Sequence, residues 1–483
     1  MNRRMVVYRI GQLLLLESVL MIIPLAVSAG YGEWNGVLSF AVAIGTALFF
    51  GIIPLIFFRP ENDVMYAKEG YTIVTFAWIL LSLVGAMPFF LSREIPSYID
   101  AVFETVSGLT TTGASLLTDV EKMSRGMLFW RSFTHWIGGM GILVLMMAII
   151  PTDSGRSMHI MRAEMAGPVV GKLVPKIKDT AKILYIIYLA ITALETIFLL
   201  IGGMPLYDSV VHALGTAGTG GFGIKGDSIG GYNAYLQWVI AIFMVIFGIN
   251  FNLYYMILLK RFSSFVKNTE LWLFFAMIIV STTAIAINIF PIYNDVGDSI
   301  RHSFFQVTSL MSTTGYSTAD FNLWPPLSKG ILFVLMFVGG CAGSTAGGLK
   351  ISRILIMAKS VYNDLRKQYH PRSVTKVKID GKPLDDTTIN RVGTYFIIYM
   401  MLNVTVFLLI CFEPFGFETN LTAAVTCVNN VGPGLGAVGP AGNYDNYSDF
   451  STIVLSIAML LGRLEIFPVI LALNPNNWSN KNK

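Results

Sequence analysis

Charge is scarce in this sequence. Lys, Arg, Asp and Glu together make up 13% of 483 residues, against 54% hydrophobic residues. Soluble domains carry about 25% charged residues, so a soluble globular protein is excluded first. Cysteine is nearly absent: Cys341, Cys411 and Cys427 all sit in or near apolar runs. No spacing among them suggests zinc or a disulfide framework. The five histidines form no HExxH or paired spacing. No nucleophile–base pair stands out either, so the chain is read as a non-enzyme with no cofactor of its own. The formal charge of +5 follows from basic loops, and a nucleic-acid surface is not needed to explain it.

What is abundant is apolar length. Runs such as "YTIVTFAWILLSLVGAMPFFL" from Tyr71 and "LWLFFAMIIVSTTAIAINIF" from Leu271 reach the roughly 20 residues a bilayer core demands. Ten full crossings are expected, near 10–28, 36–58, 71–92, 127–151, 181–203, 235–259, 271–293, 328–361, 392–413 and 449–473. "MNRR" before the first run looks like the start of a signal peptide. Glu17 and the lack of a small-residue cleavage site make the run a retained span instead. Arg3, Arg4 and Arg9, then Arg156, Arg162, Lys172 and Lys176, then Lys260 and Arg261, then Arg366 to Lys382, all fall on one face. By the positive-inside rule that face is cytoplasmic, as are both termini. The opposite loops carry acids including Glu104 and Asp208, which suggests a cation-concentrating vestibule or simply solvated loops.

Four segments between spans share one grammar: "FETVSGLTTTGAS", "VHALGTAGTGGFGI", "FQVTSLMSTTGYS" and "TAAVTCVNNVGPG". Gly113, Gly221, Gly315 and Gly432 each lie ten residues after Phe103, Val211, Phe305 and Thr422. Ten helical residues rise about 15 Å, half a bilayer core. Such a segment enters the membrane and returns. Non-helical backbone at that depth is tolerated only where protein buries it or where it lines a water-filled path. Four tracts sharing an axis would offer carbonyl oxygens to a dehydrated cation. The half-helices would point their negative C-terminal ends at it. An anion would call for helix N-termini instead. Matching register in four places is not explained by extramembrane turns.

The eighth span, "ILFVLMFVGGCAGSTAGGLKISRILIM", holds five glycines between Gly339 and Gly348. Each costs about 1 kcal/mol against alanine in a helix, so a break at membrane depth is expected. A phosphate-binding loop is disfavoured, because Leu349 precedes Lys350 and Ile351 follows it. Arg463 lies inside the apolar tenth span, where a charge marks a cavity or a partner such as Glu465 or backbone carbonyls.

"LTTTGAS", "MSTTGYS", "NNVGPGLG", "HWIGGMGILVL", "RAEMAGP", "GGCAGSTAGGLK" and "GRLEIF" together resemble the Trk/Ktr/HKT superfamily of potassium transporters, in its TrkH/TrkG branch, over essentially the whole chain. The resemblance implies an all-α integral membrane protein with two N-terminal spans and four helix–pore-hairpin–helix repeats around a pseudo-fourfold pore. The expected divisions are 1–68, 69–152, 153–268, 269–365 and 366–483. It implies a potassium filter of Thr110, Thr111, Thr112 and Gly113; Thr219, Gly220 and Gly221; Ser312, Thr313, Thr314 and Gly315; and Asn430, Val431 and Gly432. The second segment's glycines allow more than one alignment. Glycine at all four positions goes with potassium in the family, and serine at the first goes with sodium. The intramembrane gate would be Gly339, Gly340, Cys341, Ala342, Gly343, Ser344, Thr345, Ala346, Gly347 and Gly348, acting with Arg463 and with Lys350, unless Lys350 snorkels to the cytoplasm. The family commonly has glycine where this chain has Ala346.

The resemblance also implies a homodimer among membrane lipids in a bacterial or archaeal cell membrane. A cytoplasmic TrkA-type regulator with RCK domains would bind NAD or ATP/ADP. The alternative is an ion-coupled secondary transporter of sodium or an organic solute. Such proteins usually have inverted repeats, whereas these four share one orientation.

Overall fold

The computed structural model describes residues 1–60, 66–141, 177–372 and 376–474. The second half of the fourth expected span, Arg156, His159, Lys172, Lys176 and the "RAEMAGP" motif lie outside them. The described chain is helical, apart from a two-stranded hairpin in which Lys378–Ile379 pairs with Lys382–Pro383.

Side-chain caps mark where many helices begin. Ser97, Asn233, Asn268, Asp295, Asp385 and Ser448 each accept a bond from the backbone amide two or three residues on, satisfying a donor the helix cannot. The outside of the molecule is apolar: Trp34, Phe57, Ile287 and Phe412 are all more than 70% exposed. The interior holds large apolar clusters as well, together with many buried threonines and serines. An apolar exterior suits a lipid solvent.

Six described helices are long and apolar enough to cross a membrane, and eight qualify if two bent pairs each count as one span. Of the nine spans expected to run straight, the sixth and the tenth therefore do not. The sixth breaks between Ala234–Gly248 and Phe251–Leu258, which meet at 89°. The tenth breaks between Asp449–Arg463 and Phe467–Leu473, at 112°. The eighth is interrupted, as its glycines require: Pro326–Val338 stops at Gly339, and Ile351–Tyr369 starts after Lys350. The second helix of the first repeat, Arg125–Met140, also ends on a glycine, Gly141, with φ 86°. All four second helices thus stop at or beside a glycine: Gly141, Gly248, Gly339 and Gly462.

The N-terminal pair packs closely on itself. A Cβ on Gly11 would lie 2.8 Å from the Gly51 carbonyl oxygen. Its helices then cover the first repeat, where Phe40 meets Trp130 edge to face.

Candidate functional site: a ring of four glycine tracts

Four half-helices end at the centre of the molecule: Tyr98–Leu109, Leu206–Gly218, Val296–Met311 and Phe417–Asn429. Each is somewhat longer than the ten residues expected. Each gives way to the same backbone alternation. Thr111, Thr219, Thr313 and Asn430 have φ of 54–58°, and the glycine two residues on, Gly113, Gly221, Gly315 or Gly432, has φ of 78–93°. The second tract, with its alternative alignments, has this geometry at Thr219 and Gly221. Left-handed angles at the glycines suit a residue without Cβ.

The tracts close into a ring. A Cβ on Gly113 would sit 2.0 Å from the Gly220 oxygen, and one on Gly221 2.0 Å from the Thr314 oxygen. One on Gly315 would meet the Val431 oxygen at 2.5 Å, and one on Gly432 the Thr112 oxygen at 2.5 Å. Each glycine therefore abuts the carbonyl just before the next repeat's glycine, in the order one, two, three, four, one.

Cross-repeat bonds hold the ring from behind. The Phe222 amide donates to His135 Nε2 (3.2 Å), which leaves Nδ1 to donate to the Gly108 carbonyl (2.7 Å). Tyr316 Oη donates to the Phe222 carbonyl (3.1 Å), joining repeats three and two. Asn322 exchanges two bonds with Gly436, joining three and four. The Tyr444 amide donates to the Ser115 carbonyl (2.9 Å), and Asn430 Nδ2 to Thr112 Oγ1 (2.9 Å), joining four and one. None of His135, Tyr316, Asn322 or Tyr444 was legible as part of the site, since their partners lie tens to hundreds of residues away.

On one side the ring opens into a cavity of about 150 Å³. Its charged lining residues among those described are Arg131 and Lys225. Glu104 is not a loop acid. It is buried in the first half-helix, where Arg131 Nε (2.7 Å) and Nη2 (2.6 Å) reach it; Ser115 Oγ and the Leu116 amide also donate to it. Removing one partner of a buried pair leaves an uncompensated charge and costs about 3–5 kcal/mol. Arg131→Ala is therefore expected to lower the thermal unfolding midpoint of the detergent-solubilised protein well below that of Arg125→Ala, whose guanidinium lies at the surface over Tyr31. Equal midpoints would mean the pair is not holding the site.

On the other side a cleft of about 30 Å³ lies between Gly139–Gly141, Gly343–Lys350 and Gly462–Glu465. One wall is a looped segment of the broken eighth span whose neck is closed: the amides of Leu349, Lys350 and Ile351 donate to the carbonyls of Phe337, Val338 and Gly340. The tip touches the ring. The Gly347 amide donates to Thr313 Oγ1 (2.6 Å), and the Gly348 amide to the Asn429 carbonyl (3.0 Å). Arg463 donates to the carbonyls of Thr345 (2.9 Å), Gly138 (2.6 Å) and Gly139 (2.7 Å), tying the loop to two second helices. Glu465 takes Arg353 (2.6 Å). Lys350 does not snorkel: it is fully buried, and Nζ donates to the Ala346 carbonyl. Buried Thr111 Oγ1 and Asn430 Oδ1, at equivalent positions of the ring, have no hydrogen-bond partner among the described residues.

Comparison with known proteins follows the same outline. The family model described as "TrkH: Cation transport protein" matches residues 39–481. The chain is 34% identical over 491 residues to the Trk system potassium uptake protein TrkH of Escherichia coli (strain K12), covering 99% of this chain and 100% of that one. It is 32% identical over 485 residues to TrkG of the same organism, covering 98% of both. The crystal structure of the potassium transporter TrkH from Vibrio parahaemolyticus superposes with a TM-score of 0.89 at 30% identity, covering 99% of this chain and 100% of that one.

Proposed function

This chain belongs to the TrkH family of cation transport proteins, and from that premise we propose that it takes up potassium through the ring of four glycine tracts. The observation that carries the reading is the closed cycle of glycine-to-carbonyl contacts from Gly113 round to Gly432. Four half-helices bring their C-terminal ends to that ring, and the partial negative charge there favours a cation. Carbonyl oxygens of the ring are acceptors that a dehydrated cation satisfies. The filter in this reading is Thr110–Gly113, Thr219–Gly221, Ser312–Gly315 and Asn430–Gly432. Glycine at all four ring positions favours potassium over sodium.

Residues 339–348 act as the gate, supported by the contacts of Gly347 and Gly348 with the ring. The Arg463 guanidinium, bonded to Thr345, holds the loop and repels a passing cation. In this reading the protein is a homodimer in a cell membrane, with both termini in the cytoplasm. A TrkA-type partner with RCK domains binds the nucleotide and moves the loop from the cytoplasmic side. The repeat boundaries are those of the sequence, 69–152 onward, with 1–68 as a flanking pair.

Expression in a bacterium lacking its own potassium uptake tests the reading. Growth on low potassium is expected to return, with rubidium uptake and little sodium uptake. Sodium uptake that equals potassium uptake, or no rescue by a chain that reaches the membrane, would count against it.

A further inference from the structure

The loop below the ring is also anchored by a buried carboxylate. Glu270 is the second residue of the long helix Thr269–Tyr293, and it is 7% exposed. A carboxylate there is costly unless it is bonded. It is bonded to the loop at both ends. Oε1 accepts from the Ala342 amide (2.7 Å), where the loop leaves the first half of the broken span. The same oxygen accepts from the Ser352 amide (3.0 Å), in the first turn of Ile351–Tyr369. One carboxylate thus caps a helix N-terminus, where negative charge is favoured, and pins the loop ten residues upstream.

The stretch carrying Glu270 is held in turn. Asp380, at the tip of the small hairpin, accepts from the Thr269 amide (2.8 Å), Thr269 Oγ1 (2.7 Å) and Asn268 Nδ2 (3.2 Å). The loop's outer edge also leans on the break in the sixth span: the Cys341 amide donates to the Gly248 carbonyl (2.9 Å), and the Phe251 amide to the Gly343 carbonyl (3.0 Å). Those contacts hold one flank. Besides the neck bond from the Ile351 amide to the Gly340 carbonyl, the Glu270 side chain bonds both the start of the loop and the helix that follows it.

We propose that Glu270 is a positioning residue that keeps residues 341–352 folded across the path by pinning Ala342 and Ser352 to one carboxylate oxygen. The inference rests on the reading of that loop as the gate. It places the loop's hold on the outer helix of the third repeat, so that a movement of residues 268–270 relative to Ile351–Tyr369 frees the loop without disturbing the ring.

Cys341 reports on this directly, because it neighbours Ala342 and is 1% exposed. Membranes bearing the full chain are treated with N-ethylmaleimide, and the modified cysteines are located by peptide mapping. In Glu270→Ala the labelling of Cys341 is expected to rise about tenfold or more, since both the bond to Ala342 and the bond to Ser352 are lost. Glu270→Gln keeps an acceptor oxygen at the same reach and is expected to stay within about twofold of the parent. Rubidium flux in liposomes rises in the alanine variant, and the potassium-to-sodium ratio does not change. Size-exclusion profiles check folding; should Glu270→Ala aggregate, Glu270→Asp, one carbon too short to bring its oxygen to the two amides, replaces it with the same expectation.

Unchanged labelling in the alanine variant overturns the proposal, as does a glutamine variant that labels as fast as alanine. If labelling rises but flux does not, while shortening the loop does raise flux, Glu270 is excluded and the gate stands. If neither change raises flux, the gate reading falls and the proposal with it.

Discussion

Gly315→Ser lets sodium compete. Gly315 has φ 86°, and a Cβ there would meet the Val431 oxygen at 2.5 Å and Pro433 Cδ at 2.8 Å. A left-handed angle costs a residue with a side chain about 1–2 kcal/mol. The clash adds to this, because the atoms it meets are a backbone oxygen and a proline ring with little freedom to move. The cheapest relief displaces the Val431 carbonyl, and the fourfold cycle of contacts then carries that shift to its neighbours. A ring selective by the spacing of its oxygens loses discrimination when one is displaced. A loss of about 1.4 kcal/mol is a tenfold change, so the potassium-to-sodium uptake ratio is expected to fall by about tenfold or more, with flux retained. Gly393→Ser supplies the control, since nothing lies within 4 Å of the added carbon. Uptake ratios in proteoliposomes decide the matter. An unchanged ratio in Gly315→Ser would mean that the ring is a packing motif and not a filter.

Shortening the loop raises flux. Removing residues 343–347 leaves the neck bonds at 337–340 and 349–351, but deletes the tip that reaches Thr313. The path beneath the ring is then unblocked, and rubidium uptake into liposomes is expected to increase by more than in any single-residue variant of the loop's partners. Arg463→Ala moves in the same direction by less. It removes the bonds to Thr345, Gly138 and Gly139, and each bond from a charged donor contributes about 1.5–3 kcal/mol. Losing the equivalent of one such bond from the closed state favours opening by about tenfold or more. The guanidinium's repulsion of a cation disappears as well. Flux that stays level or falls in the shortened chain would sink the gate reading. The two variants also separate the gate from the filter: both should leave the potassium-to-sodium ratio alone, because neither touches the glycine cycle.

The eighth span shows why the sequence carried so much. Five glycines in ten residues cannot continue a helix at acceptable cost, whatever surrounds them. The sixth and tenth spans show the opposite case. Gly248-Ile249-Asn250 and Gly462 to Ile466 each hold a single glycine in an apolar run, which a helix tolerates. Their breaks become favourable through partners elsewhere: the Gly248 carbonyl accepts from Cys341, and Arg353 binds Glu465. Glu465 and Ile466 both have positive φ, at 56° and 61°. A β-branched residue does not adopt that angle from local preference. Only tertiary contacts sustain it.

Sequence by itself determined the membrane class, the four repeats and the register of three of the ring's four tracts, because bilayer thickness, the missing Cβ of glycine and helix rise are local constraints that act residue by residue; the second tract, with several glycines, took its register from the structure. Tertiary structure decided which carbonyl each glycine meets, that Glu104 is buried with Arg131 and does not face the cavity, that Lys350 turns inward, and that Glu270 holds the loop. Those outcomes depend on partners tens to hundreds of residues away. A buried charge or an unpaired amide finds its partner by closing a cavity, and no spacing along the chain records where that cavity closes.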